Sequence, residues 1–256
     1  MDKLYSYHQS KVELTKQIML RKNMIKVPNN IAKNLIDTYQ LCRVMDDYLD
    51  DYFKISLSSP FLLNISEEID NIMAKFKKEV LEGLRQEKEQ FRKISKTTKQ
   101  RFKNIFQFSG SENLYLSNIY TRFISENLGH KFEDIANLSN QVYIPNQEIG
   151  IKLKGVDLII HDRGIIKYTQ LKTKKDTLTG SQKDRSIEEL KIHPYSIFAA
   201  ALDMGSSWTI SAKSVKNYNI ELMAGKSFWS LINLDYDLML SKVAKTINEL
   251  DKELYS

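Results

Sequence analysis

The hydrophobic period changes near Pro145, and no other feature of the sequence restricts the fold as strongly. Before it, apolar residues recur at three- and four-residue spacings, the pattern of amphipathic helices; beyond it, short apolar runs follow the two-residue period of strands. In residues 1 to 52, Val12, Leu14, Ile18, Ile31, Leu35, Ile36 and Tyr39 keep helical spacing with an interruption at Val27-Pro28, which predicts at least two helices. The stretch LSSPFLLN around Pro60 breaks the period, and Ser66-Glu67-Glu68 then has the acidic first turn of a helix start. A long helix is expected from Ile69 to about Phe106, with apolar residues on one stripe and Lys, Arg and Glu elsewhere, the pattern of a solvated face on a core helix. After Gly110 a further helix is predicted over 112 to 138.

The second half has a different grammar. VDLIIH (156 to 161) and IIKYTQLK (165 to 172) are predicted strands joined through Asp162-Arg163-Gly164, which together describe a hairpin. A polar stretch, KTKKDTLTGSQKDR, follows as a loop; then come a helix near Ile187 to Ile192, an apolar helix YSIFAAALDM, a strand SWTIS (207 to 211), a short strand IELMA and a closing pair of helices from Ser227. Strands set between helices imply an α/β (α+β) fold, a mixed sheet flanked by helices behind a largely helical N-terminal half.

Composition narrows the setting. The 256 residues are long enough to bury a core without disulfides, and the single cysteine, Cys42, has no partner for a disulfide and no zinc-ligand spacing around it. A reducing, cytoplasmic setting is expected. No apolar run approaches a membrane span, and the opening MDKLYSYHQSKVELTK lacks the apolar centre of a signal peptide, so no membrane partner is expected. A net charge of +6 favours a polyanionic partner.

Chemistry concentrates in GVDLIIHDRGIIKYTQLKTKK. Folding the hairpin about its turn brings Asp157 opposite residues near 168 and 169, with Gln170 a diagonal neighbour, and strand alternation puts Gln170 and Lys172 on one face. A carboxylate, a second oxygen ligand and a lysine gathered at one end of a hairpin suit phosphodiester hydrolysis. A metal there holds phosphate and acidifies water, and the lysine positions that water and offsets developing charge.

This segment resembles the PD-(D/E)XK nuclease superfamily, which includes most type II restriction endonucleases. The family pattern is an Asp on one strand, a spacer, and an acidic residue, any residue and Lys on the next; Asp157, Gln170 and Lys172 occupy those positions. The resemblance implies a restriction-endonuclease-like core with Mg²⁺ as cofactor, held by Asp157, Gln170 and the backbone carbonyl of Leu171, and Lys172 acting on the nucleophilic water. Val156 stands where the family often has Pro. Gln170 replaces the usual carboxylate, and a neutral amide attracts a hard cation less than a carboxylate does. Glu133, within GHKFEDIAN, resembles the acidic residue many members place near the metal from the first core helix. IELMAGKSFWSLIN is similar to a strand and Gly-X-X-Phe-Trp helix start in restriction enzymes that cut interrupted GG and CC sites, with Phe228 and Trp229 expected in the core.

The stretch after the hairpin offers Lys174, Lys175, Thr177, Thr179, Ser181, Gln182, Lys183 and Arg185 for phosphate contacts or base readout. His8, His130, His161 and His193 have no metal-ligand spacing. No phosphate-cradling glycine loop is present, and no nucleotide cofactor is expected. The reading that follows is a helical region, 1 to 109, that embraces DNA or dimerises, and a nuclease core, 110 to 256. Together they would form a homodimeric type II site-specific deoxyribonuclease cutting double-stranded DNA at a short palindrome, since a two-fold dimer addresses both strands of a two-fold site. The alternatives are a DNA repair or junction-resolving nuclease of the same superfamily and a catalytically silent DNA-binding module.

Overall fold

A computed structural model describes residues 10 to 58, 64 to 94, 102 and 104 to 255. They form two compact units, one of Met1–Leu63 with Ile135–Tyr236 and one of Asn64–Asp134 with Asp237–Ser256. This partition differs from the 1 to 109 and 110 to 256 division anticipated above. Periodicity identifies helices but not the surface each one covers, and the first two helices pack on the sheet.

In the first unit, α1 (Lys11–Arg21) and α2 (Ile36–Ser58) precede a five-stranded sheet. Its strands are β1 (Val142–Tyr143), β2 (Leu158–Asp162), β3 (Ile165–Lys174), β4 (Ser196–Leu202) and β5 (Ile220–Ala224), in the spatial order 1-2-3-4-5. β1, β2 and β3 are antiparallel neighbours, whereas β3, β4 and β5 run parallel. The parallel pairs need crossovers, supplied by α7 (Gly180–Leu190) and the short α8 (Ala212–Val215). One sheet face, through Ile159 and Tyr168, packs against Leu14, Ile18, Val44 and Met45 of α1 and α2. The mixed α and β architecture and the helical N-terminal half agree with the sequence pattern.

The hairpin forms as expected. Asp162 pairs with Ile165, leaving Arg163 and Gly164 as a two-residue turn, and both have positive φ (50° and 85°), as a tight turn matched to strand twist requires. β2 begins at Leu158 rather than Val156, and β3 continues to Lys174.

Other expectations are corrected. The apolar run YSIFAAALDM is not a helix: Ser196–Leu202 is β4, buried at every residue, and a strand covered on both faces has no alternation to distinguish it from a buried helix. SWTIS is irregular rather than a strand, tied down by the Thr209 N–H donating to the Lys175 carbonyl at 3.2 Å. The polar stretch expected as a loop turns helical at Gly180, because Thr179 and Gln182 form a capping box. Between Pro145 and the first predicted strand lies the short helix α6 (Pro145–Ile149), where a first-turn proline loses no hydrogen bond. β5 and the closing helices α9 (Lys226–Leu231) and α10 (Tyr236–Tyr255) are found; Phe228 and Trp229 are fully buried, and the Trp229 indole N–H donates to the Ala201 carbonyl at 2.7 Å.

The second unit is helical, with α3 (Ile65–Ile94), α4 (Ile105–Phe108), most of α5 (Glu112–Ala136) and most of α10. α3 buries Ile69, Met73, Phe76, Val80 and Leu84, an i, i+4, i+7 stripe. Lys77 on α3 pairs with Glu249 and Glu253 on α10, and Lys131 on α5 pairs with Glu79. Positions 59 to 63 around Pro60, the C-terminal part of the predicted long helix at 95 to 101, and His8 lie outside the described residues. Among the described residues no helix is long and apolar enough to cross a membrane.

Candidate functional site

The site forms because the two strands of the hairpin differ in length. The β2 ladder stops at Leu158 opposite Thr169, while β3 runs five residues farther to Lys174. Asp157 stands at the end of the shorter strand, its N–H donating to the Thr169 carbonyl at 2.9 Å. The next β3 donor on that side, the Leu171 N–H, has no β2 residue opposite it in the ladder and donates to the Asp157 carboxylate, Oδ2, at 2.8 Å. A buried N–H without an acceptor is costly, so this bond fixes the carboxylate against the strand. A strand residue's N–H and C=O point the same way, so the Leu171 carbonyl also faces the Asp157 side.

Lys172 is next along, with Nζ 4.0 Å from Asp157 Oδ2. Both side chains are reachable from solvent, Asp157 at 28% and Lys172 at 29% exposure. Gln170 shares their face but is 6% exposed, and its Oε1 is buried without a hydrogen-bond partner. Thus the structure gathers the predicted Asp157, Gln170, Leu171 and Lys172 on one segment of hairpin. Among the described residues, no group of three or more His, Cys, Asp or Glu stands where it could hold a metal ion. The donors here are instead one carboxylate, one amide oxygen and one backbone carbonyl.

Glu133 is on α5 in the second unit, where His130 Nδ1 lies 3.8 Å from its Oε1. The residues proposed for DNA contact have more structured surroundings than a free loop provides. Lys174 pairs with Asp176 at 3.3 Å, and the Thr177 hydroxyl donates to the Lys174 carbonyl at 2.8 Å. Lys175 Nζ lies 2.6 Å from Asp203 Oδ1; that bond and one from the Gly205 N–H hold the Asp203 carboxyl below its ordinary value. The Thr179 N–H donates to Gln182 Oε1 at 3.1 Å, which commits both residues to capping α7. Ser181 and Arg185 are exposed on α7, Lys183 is half-buried, and Arg185 Nε donates to Glu189 at 2.7 Å.

Composition gave no sign of a further group of buried and half-buried polar side chains around the face of β3 that carries Gln170. The Tyr168 hydroxyl donates to Asp46 and lies 3.1 Å from the Cys42 carbonyl; the His193 ring stacks on the Tyr168 ring at 4.1 Å; and the Arg43 guanidinium lies 5.6 Å from that ring's centre. Burial, with the Arg43 charge second, holds the His193 pKa down to about 3, while burial raises those of Asp46 and Tyr168. Both His193 ring nitrogens, Arg43 Nε and one further Arg43 nitrogen are buried without hydrogen-bond partners. A buried carboxylate, Glu189 on α7, lies against Gly155, two residues before Asp157. No family model, curated protein or solved structure matches this chain.

Proposed function

We propose that the first unit is the catalytic part of a Mg²⁺-dependent endonuclease of restriction type, cutting double-stranded DNA. The observation that carries this reading is the convergence of Asp157, the Leu171 backbone and Lys172 on one solvent-reachable stretch of hairpin. The order of elements supports it too: an antiparallel hairpin, a polar connection, a helix and a parallel strand follow one another as in the PD-(D/E)XK core. The donor set fits a hard cation. All its atoms are oxygen, and the unpartnered Gln170 Oε1 is a buried acceptor that lacks the hydrogen bond such atoms almost always have.

Asp157, Gln170 and the Leu171 carbonyl would hold Mg²⁺, which when bound polarises a phosphate oxygen and lowers the pKa of water. Lys172 carries the protein's own part of the reaction. Its ammonium donates to the attacking water, orienting it in line with the phosphorus, and offsets the charge that grows on the non-bridging oxygens. The Leu171 N–H keeps the Asp157 carboxylate from swinging away. Exposed side chains on α7 and in the connection before it, among them Ser181 and Arg185, would contact phosphates after the catalytic strand, and the net charge of +6 suits a polyanion. Cutting both strands of a palindrome calls for two such sites related by a two-fold axis, hence a homodimer.

The test is cleavage of mixed-sequence plasmid and linear duplex with and without Mg²⁺. Cleavage needs the metal, and Asp157→Asn and Lys172→Ala each lower the rate at least about a hundredfold, while duplex binding persists in Lys172→Ala. Parent-like cutting by either variant removes that residue from the mechanism. Duplex binding by a parent protein that never nicks supports the silent DNA-binding module instead, and activity confined to branched substrates supports a junction-resolving enzyme.

A further inference from the structure

Mg²⁺ sites built by proteins commonly use one or two carboxylates, and here the motif's second carboxylate position is Gln170. Asp157 also lies 4.0 Å from the Lys172 ammonium, so the hairpin alone offers a divalent cation little net negative charge. A second acid would answer that need, and one is buried nearby. Glu189, on the crossover helix α7, is 3% exposed; its carboxylate accepts from the Arg185 guanidinium, a side chain 67% exposed. An ionised group so buried, with its partner mostly in water, is poorly compensated.

Two independent markers locate Glu189 beside the hairpin site. The first is Gly155, two residues before Asp157, whose φ is +76°. A Cβ there would lie 2.3 Å from Glu189 Cβ and 2.8 Å from its Oε2, so the carboxylate rests against the segment that leads into Asp157. The second is the level of α7 along β3. His193, just past the helix end, stacks on Tyr168, and Glu189 lies four residues earlier. Ile187 and Leu190 of α7 pack with Phe198, the β4 residue that pairs with Gln170, which sets the end of α7 at the level of Gln170. Ser186 and Glu189 on α7 and His193 beyond its end are all buried. Gln170 itself, nine-tenths buried with an unpartnered Oε1 in this region, independently points to a missing ligand.

We propose that Glu189 supplies the carboxylate that position 170 lacks, so that Asp157, the Gln170 amide and Glu189 together take a divalent cation, with Arg185 holding Glu189 until the cation enters. This rests on the nuclease reading above and gives it a metal set of two acids rather than one. Arg185 thereby becomes a competitor of the metal in the absence of DNA.

The probe is Mn²⁺ binding to the full chain without DNA, followed by the electron paramagnetic resonance of the free ion. Asp157→Asn and Glu189→Gln are each expected to weaken binding at least about tenfold. Moving the carboxylate, in the double variant Gln170→Glu with Glu189→Gln, restores affinity to within a few-fold of the parent. Arg185→Ala, an exposed change, tightens binding by about threefold or more by removing the competing cation. Glu189→Gln that melts like the parent and binds Mn²⁺ like the parent, while Asp157→Asn does not bind, overturns the role of Glu189 and leaves the hairpin site standing. Should Glu189→Gln fail to fold, unchanged affinity in Arg185→Ala overturns it equally. A parent protein that takes up no Mn²⁺ overturns both this proposal and the nuclease reading.

Discussion

Replacing Gly155 by alanine tests the packing that joins α7 to the strand carrying Asp157. The φ of +76° at this position costs a non-glycine residue about 1 to 2 kcal/mol. The added methyl meets Glu189 Cβ at 2.3 Å, closer than real Cβ contacts essentially ever come, and that side-chain atom is fixed directly to a helix backbone rather than standing at the far end of a flexible chain. Overpacking of this kind costs about 1 to 3 kcal/mol more, so Gly155→Ala should lose about 2 to 5 kcal/mol. Both tryptophans of the chain, Trp208 and Trp229, lie in the first unit, so guanidinium denaturation followed by tryptophan fluorescence reports on the unit concerned. The geometry also dictates how rescue works. Glu189→Ala keeps the offending Cβ and recovers little, whereas Glu189→Gly removes it. Glu189→Gly alone costs about 1 kcal/mol of helix propensity, yet should show a favourable coupling of about 1 to 3 kcal/mol with Gly155→Ala. Loss of less than about 0.5 kcal/mol in Gly155→Ala, or equal rescue by both changes at 189, refutes the close approach.

Two further outcomes are expected. The unfolded chain protonates His193 near its ordinary value of 6.5 and the folded chain only near 3, so the stabilisation from keeping this ring neutral is complete above pH 6.5 and declines as pH falls through that window. At about 1.4 kcal/mol per pH unit, His193→Phe, which keeps an aromatic ring against Tyr168, should lose about 3 kcal/mol less than the parent between pH 6.5 and 4; parallel losses would mean that the ring is not held neutral. In the hairpin turn, Arg163 has φ 50°, and its guanidinium, 95% exposed, makes only a 3.9 Å surface contact with Asp162. Arg163→Asn should stabilise the first unit by about 1 kcal/mol, because asparagine accepts the left-handed conformation and the lost ion pair is worth little; destabilisation in the denaturation assay would contradict this.

The parts of the site that were legible in the sequence are those written in local pattern. Alternation over IIKYTQLK and the turn at Arg163-Gly164 define the hairpin, and once its register is set Asp157 and Lys172 must meet. The capping box at Thr179 and Gln182 was also legible, but the surrounding lysines, threonines and glycine have the composition of a loop, and composition obscured the helix start. β4 could not be read locally: Phe-Ala-Ala-Ala-Leu favours a helix by propensity, and only burial between β3 and β5 makes it a strand. Glu189 and His193, buried, and Arg43 and Asp46, half-buried, look like surface residues in a list, since burial of a polar group depends on which elements pack above it. That α1 and α2 cover the sheet, while the helices from 64 to 134 gather with α10, is likewise long-range information.

In the proposed site, the unequal strands of the hairpin would tie stability and chemistry to the same carboxylate. β3 must extend past β2, because residues beyond Thr169 pair with β4 in parallel as far as Lys174 and Leu202. That extension leaves the Leu171 N–H without a β2 partner, and Asp157 is the first side chain able to satisfy it. The acceptor role needs only an oxygen and would be met by asparagine, whereas electrostatic work on a cation needs the charge. The two roles are therefore separable: Asp157→Asn keeps the strand capped and isolates chemistry, and Asp157→Ala removes both and cannot distinguish them. A purely structural Asp157 would explain the 2.8 Å bond to Leu171 and the 4.0 Å ion pair with Lys172, but not why a buried amide oxygen at Gln170 lacks a partner. The cation we propose at this position would account for that, because it would turn the unsatisfied oxygen into a ligand.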